Sequence, residues 1–215
     1  MFKLYTYFRS SAAFRVRIAL NYKGLQYQPI PVHLLRGGGE QHHAAFDERN
    51  PAHLVPVLED GALTLTQSLA IIEYLEETHP TPALLPPDAG ARARVRALAL
   101  GIACDIHPLN NTRVMRYLKE PLQIDEQRRG EWSRYWIALG FTALERVLTH
   151  GGMAGVCCYG DAPTLADCCL IPQVFNAQRV NCPLEPFPNI RRIYEHCMQL
   201  ESFARAAPAA QSDAE

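Results

Sequence analysis

Over roughly the first eighty residues the apolar positions switch between a period of two and a period of 3.6, and beyond them only the helical period remains. Lys3 to Tyr7, KLYTY, alternates as a strand does. Ala12 to Gly24, AAFRVRIALNYKG, spaces its apolar residues as a helix and stops at the glycine. Tyr27 to Leu34, YQPIPVHL, reads as a second extended segment. Pro29 and Pro31 assign it to a sheet edge, because proline cannot donate to a strand ladder. RGGGEQ reads as a flexible loop and HHAAFDERN as a short helix. LVPVLED and LTLTQ form two short strands around Asp60-Gly61. SLAIIEYLEETHP closes the region as an amphipathic helix ended by Pro80. The order βαβαββα is an α/β pattern.

Residues 80–90, PTPALLPPDAG, are rich in proline and read as a semi-rigid linker. Four helical patterns follow. The first, ARARVRALALGIACDIHPLNNTRVMRYLKE, is long, and Pro108 is expected to kink it. DEQRRGEWSRYWIALGFTALERVLTH is the second, and TLADCCLIPQVFNAQRV, with an internal Pro172, is the third. PNIRRIYEHCMQLESFARAA is the fourth, and the tail from about residue 208 reads as disordered. The expected organisation is an α/β domain over residues 1–83 and an all-helical domain over residues 90–215, an α/β plus all-α chain without internal repeats.

Composition narrows the partners. The 215 residues are 48% hydrophobic and 20% charged with a net charge of −1, which gives no field for nucleic acid or an anionic membrane. No apolar run approaches a membrane span, and MFKLYTYFRSS lacks the apolar core of a signal peptide, so a cytoplasmic protein is expected. Cys104, Cys157, Cys158, Cys168, Cys169, Cys182 and Cys197 are odd in number and form no C-x-x-C. They read as reduced, mostly buried thiols, and no metal site is expected.

Five stretches carry candidate chemistry. In Arg9-Ser10-Ser11 either serine can cap the following helix. The same helix N-terminus would also stabilise a thiolate, but Ala12 and Ala13 follow, so a thiol must arrive with a ligand. In NPAHLVPVLEDG, Pro56 either begins a strand in the trans form or follows Val55 through a cis bond, exposing backbone groups to a peptide-like ligand. Gln67 and Ser68 open a helix, where Ser68 is a plausible N-cap and a carboxylate could also bind. His107, Asn110, Asn111 and Arg113 crowd around Pro108, poor helix formers that suggest either a solvated face or a site. Thr164 to Asp167, TLAD, has capping-box spacing, and Arg179 suits the C-terminal end of the same helix.

Together SSAAFRVRIAL, QSLAIIEYLEE and DIHPLNN resemble the zeta class of the glutathione transferases, over essentially residues 1–205. That class contains isomerases acting on maleylacetoacetate and maleylpyruvate. The resemblance implies a thioredoxin-like N-terminal domain, an all-helical C-terminal domain, a homodimer, and glutathione as cofactor. It implies that Ser10 and Ser11 face the glutathione sulfur and that Val55, beside a cis-Pro56, clamps the cysteinyl backbone. Gln67 and Ser68 would hold the γ-glutamyl end, with Gln41 a further contact. His107, Asn111 and Arg113 would lean over cofactor and substrate from the helical domain, and Arg9, Arg113 and Arg179 would meet substrate carboxylates. Ala12 stands where the family motif commonly has cysteine, which disfavours glutaredoxin-type disulfide exchange but leaves isomerisation open.

The expected reaction is cis–trans isomerisation of maleylacetoacetate, a step of tyrosine and phenylalanine catabolism, by thiolate addition, rotation and elimination. Ser10, Ser11, Arg9 and His107 are its expected catalytic groups. Three alternatives are maleylpyruvate isomerisation in gentisate-type degradation, general transferase or α-haloacid dehalogenase activity, and a non-catalytic transferase-like module. Against the last stands the full polar set Ser10, Ser11, Gln67, Ser68, Asn111 and Arg113.

Overall fold

A computed structural model describes all residues, 1–215. The chain forms two compact units, one of Met1–Leu84 with Gln199–Glu215, the other of Leu85–Met198.

The first unit runs β1 (Phe2–Thr6), α1 (Ser11–Tyr22), β2 (Tyr27–Pro31), α2 (Ala44–Asp47), β3 (Val57–Asp60), β4 (Leu63–Thr66) and α3 (Ser68–Thr78). Its four-stranded sheet has the order β2-β1-β3-β4. β1 is parallel to β2, which requires the α1 crossover, and antiparallel to β3. β2 is an edge strand, as Pro29 and Pro31 demand. α1 and α3 pack together, and Phe14, Ile18, Ile71, Ile72 and Leu75 are buried with Leu4 and Leu58 of the sheet. Tyr5, Phe46 and Val55 belong to a smaller cluster.

Arg17 organises the turn between β1 and α1. Its side chain is fully buried and donates to Thr6 Oγ1 at 2.9 Å, Phe8 O at 2.9 Å, Tyr7 O at 3.3 Å and Ala206 O at 2.9 Å. Burial lowers its pKa to about 10. The closing segment therefore belongs with the first unit, not with an all-helical domain over 90–215. The fourth helical pattern breaks at Met198–Leu200 into α8 (Pro188–Cys197) and α9 (Glu201–Ala204). The tail is ordered rather than disordered, because it finds partners: Asp213 Oδ2 accepts the Phe8 amide at 3.0 Å and Glu215 pairs with Arg36.

The second unit holds α4 (Ala89–Leu100), α5 (Thr112–Lys119), α6 (Glu126–His150), α7 (Leu165–Arg179) and α8. α7 is central, buried without interruption from Leu165 to Val174, and packs on α4 and α8. The long helix expected across Pro108 is not one kinked rod. After α4 come a π-helical turn (Gly101–Ile106), a 3-10 turn (His107–Asn110) and then α5. Pro108 supplies no amide proton to continue the ladder. Asn111 leaves the helical region (φ −76°, ψ 163°) and its Oδ1 accepts the Val114 amide at 3.0 Å, so a new helix starts. Trp132 Nε1 of α6 donates to Leu109 O at 2.8 Å and pins the break.

The Thr164/Asp167 capping box is present. Asp167 is fully buried; Oδ2 accepts the Thr164 amide and hydroxyl and Oδ1 accepts the Cys158 amide, all at 2.8 Å. Asp167→Ala is expected to cost about 2–4 kcal/mol, a lost cap plus a buried amide without acceptor. Denaturant titration checks it, and a loss below about 1 kcal/mol would contradict it. Cys157 and Cys197 lie beside Asp167, their possible ligand atoms within 4.8 Å of one another. Both Asp167 oxygens are already engaged; burial pushes the Cys158 thiol well up, and a hydrogen bond with Cys157 together with burial pushes the Cys197 thiol up, so these thiols pack into the core beside Asp167.

Candidate active site

The Arg9-Ser10-Ser11 turn carries the most pointed chemistry of the first unit. The Ser10 amide donates to Tyr7 O at 3.0 Å, closing the turn that Arg17 holds from behind. Ser10 is the N-cap of α1, its Oγ accepting the Ala13 amide at 3.2 Å. That bond uses a lone pair and leaves the hydroxyl proton free to donate outward from a half-exposed side chain. Ser11 is the first helical residue and is buried. Of the three arginines near this turn, Arg15 and Arg17 are buried and only Arg9 is exposed, its guanidinium 5.6 Å from the Phe8 ring centroid.

Three more elements of this unit carry residues expected at the site. The Val55–Pro56 bond is cis, directly before β3. Ser68 is not the N-cap of α3; Gln67 is, at φ +68°, and makes no side-chain cap bond. The Ser68 hydroxyl instead accepts from Arg15 Nη1 at 3.2 Å, which ties α3 to α1. A non-glycine residue held at positive φ stores strain of about 1 kcal/mol or more, and such strain clusters at ligand sites. Gln41 is buried, donates to Leu34 O, and its Oε1 has no hydrogen-bond partner. Gly39, at φ +107°, makes room for that amide, since a Cβ there would lie 2.5 Å from Gln41 Nε2. A buried amide oxygen without a donor can accept an N–H from a peptide-like ligand. The two helix N-termini, of α1 and α3, favour its negative groups.

In the second unit, His107 opens the 3-10 turn and is half-buried. Asn111 Oδ1 caps α5, and its amide nitrogen can donate to a ligand. Arg113 is exposed on α5. Arg179 ends α7 and donates through Nη2 to Asn176 Oδ1 at 2.8 Å. Arg179 also lines a cavity of about 500 Å³ with Asn110, Arg129, Ser133, Arg134 and Asn176. Arg129 and Arg134 were not singled out in sequence, where RRGEWSR reads only as a polar helix start.

A model of the glutathione S-transferase N-terminal domain matches residues 4–83. The probable maleylacetoacetate isomerase of Vibrio cholerae is 51% identical over 98% of this chain and 97% of its own. A maleylpyruvate isomerase structure, described as a bacterial zeta-class glutathione S-transferase, superposes with a TM-score of 0.96 at 50% identity, covering 99% of this chain and 100% of that one. The chain belongs to the zeta class of the glutathione S-transferases. This transferase is also similar to the maleylacetoacetate isomerase of Methylobacterium extorquens AM1, solved with malonate and glutathione (TM-score 0.95, 42% identity, 99% of each chain). Its sheet with flanking helices and its separate helical unit are the architecture of that class.

Proposed function

We propose that this transferase is a glutathione-dependent isomerase that converts maleylacetoacetate to its trans isomer, fumarylacetoacetate. The observation that carries the reading is the Ser10 turn: a half-exposed hydroxyl with a free proton at the N-terminus of a 12-residue helix, an exposed Arg9 beside it, and no thiol from the chain itself. Bound glutathione supplies a thiolate that adds reversibly to the substrate's double bond and so permits rotation about it. Ser10 donates its hydroxyl proton to that sulfur, and the α1 N-terminus further favours the anion. Ser11 supports the turn. Gln41, Gln67 and Ser68, with the Val55 backbone beside Pro56, hold the peptide, and His107 and Asn111 orient it. Arg9, Arg113 and Arg179 bind the carboxylates and offset enolate charge. A cytoplasmic homodimer completes the proposal. No helix is long and apolar enough to cross a membrane.

S-methylglutathione tests the reading, since it fills the cradle but carries no thiol. Turnover should require glutathione and should be inhibited by the methylated form; turnover supported by S-methylglutathione would sink the proposal. Arg9→Ala and Arg179→Ala should each raise KM, with about 1.5–3 kcal/mol at stake per charge-assisted contact. Steady-state kinetics checks this, and unchanged KM in both would remove the carboxylate assignment. Maleylpyruvate is the second reading, favoured by the 0.96 superposition on a maleylpyruvate isomerase.

A further inference from the structure

The cavity beside Arg179 is more cationic than one carboxylate contact needs. Arg129 and Arg134 of α6 line it with Arg179, against a single acid, Glu126. The partners of the two added guanidinium groups are backbone carbonyls and not carboxylates: Arg129 Nη1 donates to Ile124 O, and Arg134 Nη1 to Val180 O at 3.3 Å. Each guanidinium carries five N–H donors, so most of that capacity is left for a ligand. Gly130, also on the wall, lies where a Cβ would meet Arg134 Nη1 at 3.1 Å, so a residue that weakens a helix makes room for the guanidinium. An independent observation points to a ligand. Asn110 is 7% exposed and lines the same cavity; its Nδ2 donates to Ile106 O at 3.1 Å, while its Oδ1 is buried without a partner. The cavity therefore asks for an anion that also brings a hydrogen-bond donor.

The two candidate substrates have that chemistry at one end. Each carries one carboxylate on the reacting double bond and a second beyond a 1,3-diketone, which enolises to an O–H donor. The first carboxylate cannot move far from the sulfur that attacks its alkene. The second sits at the end of a flexible arm and needs a seat of its own. We propose that Arg129 and Arg134 join Arg179 in binding the distal carboxylate of the substrate and that Asn110 Oδ1 accepts the neighbouring enol hydroxyl. The seat then sets how long a diketo-acid arm the enzyme accepts. This rests on the isomerase reading above.

The test compares maleylacetoacetate with maleylacetone, its decarboxylated analogue, which lacks the distal carboxylate. Arg134→Met and Arg129→Met keep the apolar stem and remove the charge. The ratio of kcat/KM for maleylacetoacetate over that for maleylacetone should fall about tenfold or more in each, with Arg134→Lys restoring part of it. A purely structural role would depress both substrates together, so an unchanged ratio overturns the seat. Absence of wild-type turnover on both substrates would instead overturn the isomerase reading. In that case calorimetric titration of glutarate into the glutathione-loaded protein decides the seat: weaker binding by Arg134→Met supports it, and equal affinity in wild type and variant overturns it.

Discussion

Lys23→Met is expected to destabilise the protein by about 3–5 kcal/mol. The Lys23 ammonium is inaccessible and donates to Glu76 Oε2 at 2.7 Å, His79 O at 2.7 Å and Pro82 O at 2.9 Å, using all three of its protons. Glu76 Oε2 also accepts the Leu84 amide at 2.9 Å, so one ion pair ties the ends of α1 and α3 to the segment leaving the first unit. Methionine fills much of the space but leaves a buried carboxylate without its cation and two carbonyls without a donor. Urea titration measures the loss. The double variant Lys23→Met/Glu76→Gln should recover part of it, because the penalty comes from the stranded charge. A single-variant loss below about 1 kcal/mol would contradict the account.

Ser10→Ala should have the largest effect on activity, a fall in kcat/KM of about a hundredfold or more, the scale of losing one preorganised donor to a developing anion. Two effects separate cleanly. Loss of the cap to Ala13 should cost about 1 kcal/mol of stability, visible in denaturation. Loss of the donor should raise the pKa of the bound cofactor's thiol toward the free value of about 8.5. The sign follows: a group that stabilises the thiolate lowers the pKa, so its removal moves the rising limb of the pH–rate profile to higher pH. Activity lost at pH 7 should then be partly regained in alkali. A Ser10→Ala profile with the wild-type inflection would move the sulfur contact to Ser11.

Much of the first unit was legible because period-two and 3.6 patterns there are short and punctuated. Pro29 and Pro31 marked an edge strand and Gly24 a helix stop, and β2 and α1 lie accordingly. Ser10 and the Thr164/Asp167 box were readable because capping is local chemistry. The misreadings concern roles set by tertiary contact. Arg15 and Arg17 stand in sequence only as charged positions within a helical pattern, whereas in the fold one anchors Ser68 and the other the β1–α1 turn. Ser68 resembled a cap, but Gln67 at positive φ shifted the helix start by one residue. The last seventeen residues looked like helix and loose tail because Asp213 and Glu215 gain their partners from residues far back in the chain. Arg129 and Arg134 offered no signal, since nothing in RRGEWSR distinguishes a cavity wall from a solvated face.

The most direct test of the central claim is isomerase turnover on maleylacetoacetate and maleylpyruvate, side by side, with and without glutathione. The account predicts turnover only when glutathione is present, with the larger kcat/KM naming the substrate. Glutathione-independent turnover, or none on either substrate despite glutathione binding, would contradict it.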